Sequence, residues 1–181
     1  MATPVLAFTQ IATECEKDGL SGKNVERIAA ELAKLFSVNL DEVAILRAEK
    51  SNLVFVHPAK LAKMGSIPIN TTGAVAARTA STKRAEVINA FPQSKHISVF
   101  EAVDLGNKPK PSGGMGTPGE DKHAFVIQKL MSAPVLGAEG VLGVVEVCRK
   151  GTSGPSAGTD FSPMDLQKLV AACGALGKCF K

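Results

Sequence analysis

An α+β fold built on a central antiparallel sheet is predicted by three observations. Two apolar runs, Met131–Leu136 and Val141–Cys148, flank a Gly-Ala-Glu-Gly tetrapeptide, which is the pattern of a β-hairpin. Alternation along the second run puts Val141, Gly143, Val145 and Val147 on one face and Leu142, Val144, Glu146 and Cys148 on the other. Both faces are mostly apolar, so the strand is expected inside the sheet and covered on both sides. The order of elements completes the prediction: two helices, two strands, short helices over a sheet, two further strands and a closing helix. Glu146 is the one polar residue in the second run.

The elements follow from local signals. Pro4 suits a first helical position, and Val5, Phe8, Ile11, Ala12 and Cys15 form a stripe ending near Asp18-Gly19. A second helix is expected from about Gly22 to Ser37, with Ser21 as N-cap and a stripe of Val25, Ile28, Leu32 and Leu35. Glu42–Arg47 and Leu53–His57 read as a hairpin turning at Ser51-Asn52, stopped by Pro58. Ala59–Met64 has room for a helical turn or two, and Pro68 forces Ile67–Ile69 to be extended. Thr71-Thr72 are expected to cap an Ala-rich helix from Gly73 to about Ser81, followed by an extended Glu86–Ile88 and a helix over Lys95–Val103. Asp104–Lys122 packs five Gly and three Pro into nineteen residues and reads as a long flexible loop. Its GGMG core lacks the Gly-Lys-Ser/Thr ending of a phosphate-binding loop. After a second flexible connector, Gly151–Thr159, Ser162-Pro163 open the last helix. Its stripe of Leu166, Leu169, Cys173, Leu176 and Phe180 recurs at heptad-like spacing.

Composition narrows the function classes. The 181 residues carry a net charge of +4, but the basic residues are scattered pairs rather than the stripe a nucleic-acid surface shows. Eight Phe with no Trp or Tyr leave little aromatic surface for stacking bases. Cys15, Cys148, Cys173 and Cys179 match no zinc spacing. His57, His96 and His123 include no pair at a metal-ligand spacing, and His57 and His96 read as surface groups. No apolar run approaches the roughly 20 residues of a membrane span, and MATPVLAFTQ lacks a signal-peptide pattern. These features set the expectation of a cytoplasmic chain with reduced thiols, no membrane partner, no nucleic-acid partner and no metal. No catalytic triad or carboxylate pair is recognisable, and the sequence leaves any cofactor unknown.

Three stretches resemble the GAF domain family. Thr71–Asn89 (TTGAVAARTASTKRAEVIN) is similar to the family's helix and short strand. Met131–Gly151 (MSAPVLGAEGVLGVVEVCRKG) is similar to its paired central strands. Phe161–Gly177 (FSPMDLQKLVAACGALG) is similar to its closing helix. The resemblance implies a GAF-like central antiparallel sheet, with helices packed on one side and pocket loops and short helices on the other. It divides the chain into an N-terminal helix, 1–20, and a GAF-like domain, 21–181, with the flexible loop 104–122. Cyclic-nucleotide-binding members carry Asn-Lys, Phe and Asp-Glu after the last strand; here those places hold Arg149-Lys150, Phe161 and Asp165-Leu166, which argues against that ligand. Bilin-binding members need a Cys near the pocket helices, and there is none between Cys15 and Cys148. Methionine-sulfoxide-reducing members need pocket-loop cysteines, and the four here fall on predicted helices and a strand.

A pocket of the kind the resemblance implies has the sheet as floor and the segment from Gly73 to Phe125 as roof. Asn89, Phe91, Phe100, Phe125, Ser132 and Glu146 are its candidate lining residues. Core packing is the competing assignment for the three Phe, and exposure to solvent or an ion pair with Arg149 or Arg47 the competing one for Glu146. The expected function is a non-catalytic sensory or regulatory module that binds a small molecule and signals through its flanking helices to a dimer partner. The alternative is a ligand-free dimerisation module, in which Val25, Ile28, Leu32, Leu35, Leu166, Leu169, Cys173, Leu176 and Phe180 form a helical bundle across a two-fold axis. A small redox enzyme using Cys148 or Cys173 is the third reading.

Overall fold

The structure, a computed structural model, describes residues 4–63, 65–71, 73–91 and 126–180. The expected helix over Lys95–Val103, the loop Asp104–Lys122, and the residues Thr72, His96, Phe100, His123 and Phe125 lie outside the described residues.

Among the described residues, six strands form one antiparallel sheet: β1 (Val43–Glu49), β2 (Asn52–His57), β3 (Ser66–Pro68), β4 (Glu86–Ile88), β5 (Val126–Leu136) and β6 (Val141–Gly151). Their spatial order is β3-β2-β1-β6-β5-β4. The hairpin that the apolar runs predict therefore sits at the centre, with β6 between β1 and β5. Residues 127–135 of β5 are buried without interruption, as expected of a strand covered on both faces. Both strands run beyond the apolar segments, because Gln128, Lys129 and Lys150 are buried with hydrogen-bond partners. The alternation holds from Gly143 to Cys148, but the pairing shifts between Val135 and Leu136. Beyond that irregularity Leu142 joins the face of Val145, and Val141 joins the face of Val144. The β1–β2 turn falls on Lys50-Ser51, with Lys50 left-handed at φ 56°, and Asn52 already pairs with Glu49.

Four α-helices complete the described fold: α1 (Pro4–Cys15), α2 (Gly22–Phe36), α3 (Val75–Thr82) and α4 (Pro163–Leu176). Asp165 explains the start of α4. Its carboxylate accepts from the Ser162 backbone N–H at 2.9 Å, while the Ser162 hydroxyl accepts from the Asp165 N–H at 3.1 Å. Those bonds hold the Asp165 carboxyl below the usual aspartate range. Ser21 occupies the N-cap position of α2 in extended conformation without a side-chain cap bond. Thr71 does not cap α3. Ala74 is its N-cap and the helix begins at Val75.

The sheet separates two apolar layers. On one face α1, α2 and α4 pack through Phe8, Ile11, Ile28, Leu32, Leu169 and Leu176 onto Val43, Ile45, Met131, Val145 and Val147. On the other, α3 lies through Val75, Ala76, Ala77 and Ala80 over Ala44, Leu46, Leu130, Val144 and Cys148. α3 faces the sheet mostly with alanines, whose short side chains fill the layer without bulk.

This arrangement corrects the expected dimer seams. Val25, Ile28, Leu32, Leu169, Cys173, Leu176 and Phe180 are buried within the chain itself, and Leu35 and Leu166 pack half-buried against the same layer. A stripe at three- and four-residue spacing specifies a buried face but not what covers it, and here the cover is the chain's own sheet.

Candidate functional site

The α3 face of the sheet carries a cross-strand row in which three polar side chains, Glu146, Ser132 and Glu86, follow Ala44. Ala44, Glu146, Ser132 and Glu86 lie side by side across β1, β6, β5 and β4. Glu146 is 1% exposed and Ser132 fully buried. From above, α3 supplies two partners. The Thr79 hydroxyl donates to the Ser132 hydroxyl at 2.8 Å, and the Arg78 guanidinium grips the Glu86 carboxylate, with Nε at 2.9 Å from Oε1. That carboxylate raises the Arg78 pKa and keeps the group charged.

The row thus brings together two of the sequence candidates, Ser132 and Glu146, on one face of the sheet. Phe91 is buried in the same apolar layer, as its competing core assignment requires. Phe100 and Phe125 lie outside the described residues. Asn89 does other work. Its amide donates to the Phe161 carbonyl at 3.0 Å and its amide oxygen accepts from the Phe161 N–H at 2.9 Å. Both polar ends of Asn89 are used in tying the end of β4 to the start of α4, so it is a tether and not a free polar handle.

The ion pairs considered for Glu146 are absent. Arg149 projects from the opposite face, where it donates to the Phe36 carbonyl at 3.1 Å and stacks 4.7 Å above the Phe161 ring. Arg47 pairs with Glu49. Sequence reasoning missed Arg78, Thr79 and Glu86. A signal existed for Thr79, since it falls three and four residues after Ala76 and Val75 and so shares their buried face.

Two further features bear on chemistry. His57 is buried, not a surface group, and its Nε2 lies 3.1 Å from the Leu40 carbonyl. Beside it an apolar hollow of about 290 Å³ is lined by Leu40, Asp41, His57, Pro58, Ala59 and Lys60. Cys148 and Cys173 are buried on opposite faces of the sheet. Burial pushes the Cys173 thiol up to about 12 and the Cys148 thiol well above the ordinary range. Neither has the lowered pKa of an activated nucleophile. Among the described residues, no three His, Cys, Asp or Glu are placed to hold a metal, and no helix is long and apolar enough to cross a membrane.

No family model matches the sequence, and no curated protein matches it. Solved structures do. The chain is similar to the GAF domain of an Acinetobacter phosphoenolpyruvate-protein phosphotransferase (TM-score 0.62, 12% identity, covering 99% of this chain and 94% of that one). It is similar to residues 122 to 287 of a methyl-accepting chemotaxis protein (TM-score 0.62, 13% identity, 93% of each chain). It is also similar to the reduced form of the fRMsr of Staphylococcus aureus (TM-score 0.57, 20% identity, 100% of each chain). The fold is that of a GAF domain, as the three sequence stretches imply. At these identities the likeness extends to fold alone.

Proposed function

We propose that this GAF-fold chain is a non-catalytic sensory or regulatory module that seats a small molecule against the α3 face of the sheet. The observation that carries the reading is the polar row under α3. A carboxylate and two hydroxyls buried among alanines, valines and leucines are the few placed polar groups of an otherwise apolar small-molecule site. The opposite face supplies the output. It is filled by α1, α2 and α4, so a change in how the sheet is loaded on one side is felt by helices on the other. The redox-enzyme reading, kept in view by the fRMsr likeness, is weakened by the burial and raised pKa of Cys148 and Cys173.

Thermal-shift screening against a metabolite library tests the reading. A ligand present at a hundred times its Kd adds about 2.7 kcal/mol, which for a chain of this size moves the melting temperature by roughly 5–10 °C. The rise is expected to saturate, to fall in Glu146→Gln, and to persist in Lys60→Ala at the separate hollow. A library with no stabilising member, together with a side-chain-filled α3 face, would remove the proposal.

A homodimer is a second reading, now moved to a different surface. The buried seams are occupied within the chain, but Leu6 on α1 and Met164 and Val170 on α4 are exposed by 58%, 65% and 46%. Large apolar side chains left outward on two packed helices suit a symmetric contact between copies. Sedimentation velocity is expected to show a dimer that Val170→Glu and Met164→Glu convert to monomer. A wild-type monomer at high concentration removes this reading.

A further inference from the structure

Two thiols far apart in the sequence meet at the outer end of the helical layer. Cys15 closes α1, and Cys179 lies in the short helical turn Gly177–Phe180 that follows α4. They are 1% and 0% exposed and belong to one apolar cluster. Two independent observations place the segments side by side. The α1 helix packs directly against the Gly177–Phe180 turn, with both cysteines in the same buried layer. The residues next to them, Glu16 and Lys178, form an ion pair at the surface, with Oε2 and Nζ 3.9 Å apart. The other thiols have different surroundings. Cys173 points its sulfur at the Ala133 carbonyl, 3.9 Å away, and Cys148 lies across the sheet.

We propose that Cys15 and Cys179 are a redox-responsive pair that closes to an intramolecular disulfide, fastening α1 to the C-terminal turn. The oxidant class is a low-molecular-weight disulfide such as oxidised glutathione. One cysteine thiolate attacks a glutathione sulfur and expels the first glutathione thiolate, leaving a mixed disulfide. The second cysteine, deprotonated, attacks the protein-side sulfur of that bond. The Cys15–Cys179 bond forms, the second glutathione thiolate leaves, and the two protons released by the cysteines are taken up by the two glutathione thiolates. The protein pair is oxidised by two electrons and one glutathione disulfide is reduced to two thiols.

Burial determines the route. Neither sulfur is open to solvent, and burial with the neighbouring Cys15 thiol holds the Cys179 thiol up at about 11. Reaction therefore proceeds when the Cys15 end of α1 frays from the turn while Phe8 and Ile11 stay packed, and reclosure brings the sulfurs together. The α1 end is held at the surface by Glu14 to Arg27 and Glu16 to Lys178, exposed pairs of the kind that contribute little. The bond would remove that opening and hold the two ends of the helical layer together. It joins positions 15 and 179, so it encloses nearly the whole chain, where constraint of the unfolded state is greatest.

The test is incubation of the full chain in a glutathione redox buffer, followed by alkylation and peptide mapping. The expected product is an intact chain lighter by two hydrogens, with the peptides of Cys15 and Cys179 joined. Oxidation is expected to raise the melting temperature by roughly 10–20 °C. The bond is expected to be absent in Cys15→Ser and Cys179→Ser and kept in Cys148→Ser and Cys173→Ser. Four alkylated thiols after prolonged oxidation, a bond joining other cysteines, or glutathione adducts that never resolve would each overturn the proposal. Mapping of the wild type decides the matter even where a serine variant fails to fold.

Discussion

Gly143→Ala is expected to lower stability by about 3 kcal/mol, near the upper end of what an extra core methyl costs. Gly143 lies on β6, between Arg47 of β1 and Val135 of β5. A Cβ there would stand 2.3 Å from the Leu46 carbonyl oxygen and 2.5 Å from the Phe180 ring. The carbonyl belongs to the neighbouring strand and moves only if β1 and β6 part. The ring is 3% exposed and has little room to turn away. Gly143→Val is expected to prevent folding. Gly174 is the internal control, since it lies in α4 with nothing within 4 Å of an added Cβ. Gly174→Ala removes the backbone-entropy cost of glycine in a helix and is expected to stabilise by about 1 kcal/mol. Urea unfolding reads both changes as midpoint shifts of opposite sign with unchanged slope. An unchanged midpoint in Gly143→Ala would mean that the terminal turn does not pack its phenyl ring over the centre of the sheet.

The contrast between these glycines shows what kind of information a sequence carries. Both are glycines in strongly patterned segments, and nothing local separates them. Local signals served well where the deciding contacts are local. Ser162, Pro163 and Asp165 start α4 within three residues of one another, and Gly137 to Gly140 turn the central hairpin. They failed where the partner is distant. Asn89 looked like a polar handle beside a pocket, yet its partner is the backbone of Phe161, 72 residues along the chain. Arg78 and Glu86 are eight residues apart across a turn, and only the folding of α3 over β4 shows that they meet. Val141 and Leu142 exchanged faces because of an irregularity in pairing, which alternation cannot register. The same limit produced the dimer seam. The periodicity of α2 and α4 specifies a buried face, and the cover it meets is the chain's own sheet rather than a second chain.

Leu32→Ala and Leu169→Ala decide between those covers. Both side chains are fully buried in the chain, on α2 and α4. Deleting three carbons from either leaves a cavity in a layer that can collapse only partly, so each is expected to cost about 2–5 kcal/mol. With typical domain stabilities at about 5–15 kcal/mol, such a loss is large enough to move most of the population toward the unfolded state on mild heating. Its dependence on concentration carries the argument. If the leucines pack within one chain, the drop in melting temperature is the same at low and high protein concentration. If they packed between chains, truncation would leave a folded monomer, and the midpoint would rise with concentration through mass action. Circular dichroism melts across a hundredfold range of concentration separate the two. Val170→Ala on the outer face of α4 is expected to leave the midpoint of the isolated chain within about 0.5 kcal/mol of wild type, as an exposed position should. A Leu32→Ala protein with native circular dichroism, an unaltered low-concentration midpoint and a reduced sedimentation coefficient would return the α2 face to the surface and overturn the two-layer arrangement of the core.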